Sequence, residues 1–211
     1  MFDPGVPFEL NSLVRRVVAP NPGMMTGPGT NTYLLGHNEV AVLDPGPLID
    51  EHVEAILDAA GKDRIRWIIA THTHPDHSPA CQPLLEATGA EVIGAKPWDD
   101  MFQDETFQPE PPVTHDDVLK TDEFTLRALH TPGHVGNHYC FLLEEEGMLF
   151  TGDHIMQGST VVIVPPSGDM KAYIDSLNLL LDYPLKSMAP GHGSVIEDPV
   201  GAVEWLVAHR L

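Results

Sequence analysis

Basic side chains are scarce in this chain. Its 211 residues hold 11 Lys and Arg against 31 Asp and Glu, a formal charge of -20 at pH 7, which disfavours tight binding to nucleic acid or to an anionic membrane through the bulk surface. A local metal charge could still attract an anionic substrate. Cysteine is nearly absent: Cys81 and Cys140 are the two present, and they read as buried thiols of a cytosolic protein, not as a disulfide framework. Long apolar runs are missing too, so no segment reaches membrane-spanning length. The stretch Met1-Phe2-Asp3-Pro4-Gly5-Val6-Pro7 lacks the basic-then-apolar pattern of a secretory leader, which makes a cytoplasmic location the expectation. No low-complexity linker or short-period repeat divides the chain. Its length suits one domain, residues 1–211, with a core that needs no disulfides.

The apolar pattern predicts strands first: Val14 to Ala19, Thr32 to Leu35 and Glu39 to Leu43, separated by Gly/Pro/Asn turns as in an antiparallel meander. Val53, Ile56, Leu57 and Ala60 recur at helical spacing, predicting a helix from Asp50 to Ala60 that Gly61 stops. A buried strand, Ile65 to Ala70, a helix, Pro79 to Thr88, and a short strand, Glu91 to Ala95, come next. The acidic, Pro-containing segment Asp99 to Asp117 reads as a flexible surface excursion placed to lie over a site. Strands resume at Glu123 to His130, Tyr139 to Leu143 and Met148 to Thr151, and helices are expected at Asp169 to Leu181 and Pro199 to Leu211. Strand groups flanked by helices predict an α/β fold with two sheets sandwiched between helical layers.

Histidine carries the chemistry. At the end of the buried strand, Thr71-His72-Thr73-His74-Pro75-Asp76-His77-Ser78 has the spacing H-x-H-x-D-H. Four metal-competent side chains so close together suit Zn²⁺ or its first-row neighbours, and they offer more donors than one catalytic ion with an open position takes. Two ions are therefore expected. A strand ending at His72 can aim alternate side chains at one point, and Pro75 bends the chain so that Asp76 and His77 approach from another side. Three further donors stand in Gly/Pro-rich turns after strands: His134 in Thr131-Pro132-Gly133-His134, Asp153 in Thr151-Gly152-Asp153, and His192 in Pro190-Gly191-His192-Gly193.

This ordered set, spread over positions 72 to 192, resembles the metallo-β-lactamase superfamily. The resemblance implies an αββα sandwich of two mixed β-sheets. It also implies that His72, His74 and His134 bind one ion, that Asp76, His77 and His192 bind a second, and that Asp153 bridges them. The chemistry implied is that of a binuclear metal-dependent hydrolase in which a metal-bridging hydroxide, ionised near neutral pH, attacks an ester, thioester, lactone, β-lactam or phosphodiester. The flanking segments Gly27-Pro28-Gly29-Thr30-Asn31-Thr32-Tyr33 and Pro165-Pro166-Ser167-Gly168-Asp169-Met170 are most similar to the endoribonuclease-related group of that superfamily. Members of that group often continue into a C-terminal winged-helix-like domain, whereas this chain stops at Leu211. Two zinc ions are the expected cofactors, with Mn²⁺ or Fe²⁺ also accepted by such donors.

Asp76 belongs among the expected catalytic residues as well as the ligands. His138 and His154, close in sequence to ligands, are candidates for donating a proton to a leaving group. His37, His52, His115, His130 and His209 lack a comparable setting, and Tyr173, Leu177 and Leu180 read as core. A small-molecule substrate is expected. Single-stranded RNA is an alternative that the resemblance favours and the charge opposes, and a di-iron redox protein is another. A glyoxalase II-like thioesterase shares the ligand order, yet Ser78-Pro79-Ala80 stand here where that group has Gly-Gly.

Overall fold

The computed structural model describes residues 2–61 and 64–211; Met1, the first residue of the stretch without a leader pattern, lies outside them. The first half of the chain builds a six-stranded sheet with its strands in sequence order: β1 (Phe8–Glu9), β2 (Val14–Val18), β3 (Asn31–Leu35), β4 (Val40–Leu43), β5 (Ile65–Ile69) and β6 (Glu91–Ile93). The β1 to β4 neighbours run antiparallel, while β4, β5 and β6 are parallel. Parallel neighbours need a crossover, and α1 (Asp50–Ala60) and α2 (Cys81–Thr88) supply it. The second half forms a five-stranded sheet in the order β11-β10-β9-β8-β7, from β7 (Val118–Lys120), β8 (Thr125–His130), β9 (Tyr139–Leu143), β10 (Met148–Gly152) and β11 (Ser187–Pro190). Here β7 to β10 are antiparallel and β11 joins β10 in parallel, after the crossover helix α3 (Met170–Leu180); α4 (Pro199–Arg210) follows.

Both faces of the inner strands are covered, which is why they read as continuous apolar runs instead of alternating ones. Side chains alternate between two cores all the same. Tyr33, Leu35, Ala41 and Leu43 meet Phe141, Leu143, Met148 and Phe150 between the sheets. Leu34, Val40 and Val42 turn the other way to pack under Val53 and Ile56 of α1 and Leu84 of α2. On the far side Cys140, Leu142 and Leu149 pack against Tyr173, Leu177 and Leu180 of α3 and Val203 and Leu206 of α4. The expected αββα sandwich is thus present. Both cysteines are buried free thiols, and among the described residues no helix is long and apolar enough to cross a membrane.

Three strands, β1, β7 and β11, were not anticipated. The first two are very short, and β11 (Ser-Met-Ala-Pro) has little apolar signal of its own. Two helix starts shift inward from the expected bounds because Ala80 and Asp169 occupy capping positions, whereas α4 starts at Pro199 as expected; Asp169 and Asp198 accept from the backbone N–H of Ala172 and Gly201. The acidic excursion is fastened at both of its ends: the Asp104 N–H donates to Thr73 O, Ser78 Oγ donates to Asp104 Oδ2 at 2.7 Å and Thr73 Oγ1 donates to Gln103 Oε1, while Val113 N–H donates to Gly94 O and Asp116 N–H to Ala128 O. It therefore braces the loop that carries the histidine cluster.

Candidate metal centre

The predicted donors all follow strand ends at one edge of the sandwich. His72, His74, Asp76 and His77 lie in the loop between β5 and α2, His134 follows β8, Asp153 directly follows β10, and His192 follows β11. Strands β8, β10 and β11 point the same way, since β8 and β10 both oppose β9 and β11 is parallel to β10, so their C-terminal turns share one end. Two glycines let these turns close. A Cβ on Gly191 would sit 2.7 Å from His77 Cε1 and 2.9 Å from Asp153 Oδ1; Gly152, at φ +46°, would press one against Thr71 and His138.

Three overlapping groups of donors have atoms within 4.8 Å of one another: a first set of His72, His74 and His134, a second of Asp76, His77 and His192, and a group of His72, His77 and Asp153 that links the two. In the first set His74 Nδ1 lies 3.0 Å from His72 Nε2 and 3.1 Å from His134 Nε2. In the second, Asp76 Oδ2 lies 3.2 Å from His192 Nε2 and 3.6 Å from His77 Nε2. Asp153 stands between them. Its Oδ1 is 3.4 Å from both His77 Nε2 and His192 Nε2, whereas Oδ2 faces His134 Nε2 at 3.9 Å. Two nitrogens sharing a tetrahedral zinc at about 2.0–2.1 Å stand roughly 3.3 Å apart, close to the spacing in the first set.

The residues fit metal on chemistry as well as spacing. His77 Nε2, His192 Nε2 and Asp153 Oδ1 are buried yet make no hydrogen bond, an arrangement that is costly unless a cation completes it. The opposite ring nitrogens are tied. His192 Nδ1 contacts Gly29 O at 3.3 Å and His134 Nδ1 contacts Val162 O at 2.6 Å. A carbonyl only accepts, so each Nδ1 carries the proton and each Nε2 presents a lone pair.

His77 is fixed by a residue that the sequence reading missed. Its Nδ1 lies 3.0 Å from Asp44 Oδ2, and the same buried carboxylate accepts from the N–H and hydroxyl of Thr71, at 2.8 Å and 2.9 to 3.0 Å. Asp44 follows β4 in an Asp-Pro-Gly turn with φ +50°. That turn after an apolar strand was its one sequence signal, and a lone carboxylate in such a turn reads as a turn former.

Burial sets the protonation pattern. It lowers His72, helped by His77 and His74, and lowers His74 to about 4, helped by His134 and His77. Burial alone would depress His77, but Asp76, Asp153 and Asp44 together raise it well above the ordinary value. The Asp153 carboxyl, which burial would push up, is held far below the ordinary carboxylate range by His77 and His192. Three carboxylates thus surround His77, an excess of negative charge suited to a divalent ion.

His138 and His154 are fully buried. His138 Nδ1 meets Thr131 Oγ1 at 3.0 Å, and its ring lies 5.1 Å from that of His72 and 5.8 Å from that of His154. Burial lowers both, His154 to about 3, so both are neutral imidazoles in the layer beneath the donors. His52, which has no chemical setting in the sequence, is buried against Thr32 Oγ1 at 2.9 Å.

A model of the metallo-beta-lactamase superfamily matches residues 25–192, the span that holds every donor. The chain belongs to that superfamily. It is similar to the lactamase-like protein nscB of Arthroderma benhamiae, at 32% identity over 96% of this chain and 44% of that protein. The Beta-lactamase-like protein 2 homolog of Drosophila melanogaster is 34% identical over 96% of this chain and 71% of its own length. An atrochrysone carboxyl ACP thioesterase of Aspergillus chevalieri is 34% identical, over 88% of this chain and 58% of that protein. The chain thus spans only about half of the Arthroderma and Aspergillus proteins. Among solved structures, a metallo-beta-lactamase family protein from Thermus thermophilus shares the fold with a TM-score of 0.79 at 25% identity, over 95% of this chain and 80% of that one. A structure of TTHA1623 in a di-iron-bound form has a TM-score of 0.67 at 27% identity, over 86% of this chain and 93% of that one.

Proposed function

We propose that this superfamily member is a binuclear metal-dependent hydrolase of a small-molecule ester, a thioester foremost. The observation that carries the reading is the pairing of two three-donor sets across one carboxylate, Asp153, whose two oxygens face different sets. The similarity to a protein named as a carboxyl ACP thioesterase supports a thioester. The net charge of -20 argues against RNA. His72, His74 and His134 would hold one ion and Asp76, His77 and His192 the other. Divalent ions there supply Lewis acidity toward a carbonyl oxygen and lower the pKa of water to roughly 7 in favourable sites.

The chain's own residues set the geometry for that chemistry. Asp153 fixes the distance between the two sets, Asp44 holds His77 in the tautomer that leaves Nε2 free, and the buried His72 and His77 keep bulk water from the inner side. The Asp76 side chain, 28% exposed, presents a carboxylate at the outer side where it can accept a proton from an attacking water. In the net reaction the acyl carbon–sulfur bond breaks; water supplies the hydroxyl of the released acid and the proton of the released thiol. For His138 and His154 we propose support of the ligand loops in place of proton donation, because neither reaches the surface.

The test is elemental analysis of purified protein with a panel of thioester, lactone, β-lactam, phosphodiester and RNA substrates, with Asp76→Ala as control. Thioester turnover that tracks metal content and fails in Asp76→Ala supports the reading. Salt-sensitive RNA cleavage without ester turnover would replace it with the endoribonuclease alternative, and redox activity of an iron-loaded form without hydrolysis with the redox one.

A further inference from the structure

The chain places exposed apolar side chains beside its most polar site. Met24 is 100% exposed, Met25 60% and Val162 45%, and they line one groove of about 260 Å³ together with Pro28, Met156 and His192. Its remaining polar side chains, Gln157, Ser159 and Thr160, are uncharged, and none of the described residues lining it is Asp, Glu, Lys or Arg. In a chain with a net charge of -20, a lining without carboxylates beside a candidate metal ligand is a departure from the rest of the sequence.

Both walls of the groove are fastened to candidate ligands. The methionines sit at the tip of the loop between β2 and β3, closed by the hydrogen bond from Gly23 N to Gly27 O. Asn21 knots the base of that loop, accepting from the N–H of Thr30 and donating to its hydroxyl. The same loop binds the turn that carries His192: Asn31 N–H donates to Gly191 O, the Asn31 side chain donates to Pro190 O and Gly193 O, and Gly29 O receives His192 Nδ1. The facing wall gives its Val162 carbonyl to His134 Nδ1. Each wall is thus tied to a donor of a different set, and His192 itself lines the groove.

Building on the hydrolase reading, we infer that this groove is the acyl subsite and takes an uncharged, flexible, apolar acyl chain. Methionine has an unbranched, polarisable side chain that adapts to ligands of differing shape, so three of them favour a run of methylenes over one rigid outline. A carboxylate on the acyl chain would find no Lys or Arg among the described lining residues and would lose its hydration without compensation. The groove accordingly selects chain length and rejects charge.

Two readouts test this. With N-acetylcysteamine thioesters from acetyl to octanoyl, kcat/KM of the metal-loaded protein rises about four-fold per added methylene until the groove is full, and the succinyl thioester falls at least ten-fold below the butyryl one. In Met24→Ser/Met25→Ser the ratio of octanoyl to acetyl kcat/KM falls by at least ten-fold while metal content holds. The second readout needs no turnover: calorimetric binding of unhydrolysable methyl alkyl ketones to the same protein gives the same dependence on length, lost in the double variant. A flat length series in turnover overturns the acyl subsite and leaves the hydrolase standing. Absence of thioester turnover together with length-dependent ketone binding overturns the hydrolase reading and keeps the apolar subsite. Ketone binding with no length dependence, or none at all, overturns the subsite.

Discussion

Asp44→Asn changes one atom in a buried carboxylate, and the structure gives the consequence. The native carboxylate accepts from Thr71 N–H, Thr71 Oγ1 and His77 Nδ1. An asparagine can keep the Thr71 N–H bond through its single oxygen, and its NH₂ then faces the His77 ring. An NH₂ group donates, so His77 Nδ1 must become the acceptor and its proton must move to Nε2. That nitrogen is the one aimed at Asp76 and Asp153, and a protonated Nε2 cannot bind an ion. Changes to the carboxylate partners of histidine ligands cost about 10- to 100-fold in metal affinity, or roughly 1.4–2.7 kcal/mol. The loss should fall on the set containing His77 and spare the set of His72, His74 and His134. Chelator competition followed by elemental analysis reads the two affinities separately, and circular dichroism checks the fold. Two ions retained at wild-type affinity in Asp44→Asn would refute the argument from tautomers.

Asp153→Asn removes charge from the one carboxylate shared by both sets, so turnover and metal content should drop sharply together; unchanged values for both would reject the bridging role. His52 is held down to about 4 by burial, against an ordinary 6.5. A depressed pKa means that the unfolded chain binds the proton first, so this stabilisation is complete above pH 6.5 and is lost as pH falls toward 4. From pH 7.5 to 4.5 the metal-stripped protein should lose roughly 2–3 kcal/mol more stability than His52→Gln, measured as urea midpoints; equal losses would exclude His52 as a cause. Burial pushes the Cys81 and Cys140 thiols up to about 12, so thiol reagents at pH 8 should label neither cysteine in the folded protein and both in urea.

Strongly periodic or strongly apolar segments were legible in the sequence, and so were the seven side chains that the fold brings together at the candidate site. His72, His74, Asp76 and His77 are recognisable because their chemistry is concentrated in one short loop, and His134, Asp153 and His192 because each stands in a glycine turn after an apolar strand. The division into two groups of strands, before and after the acidic excursion, was legible, but the order of strands within each sheet was not, since it depends on which strands pair. The short β1 and β7 carry too few residues to show a period, and β11 hides in a Ser-Met-Ala-Pro run whose order comes from pairing with β10. Asp44 was invisible for a related reason: its role exists only once β4 and β5 lie side by side and bring it to Thr71 and His77. The backbone carbonyls of Gly29 and Val162, which set two histidine tautomers, leave no residue-type signature at all.

The most direct measurement is anomalous diffraction from crystals of the protein loaded with zinc, manganese or iron. The account predicts two peaks, one among His72, His74 and His134 and one among Asp76, His77 and His192, with Asp153 between them. A single peak, or none under any loading condition, would contradict it.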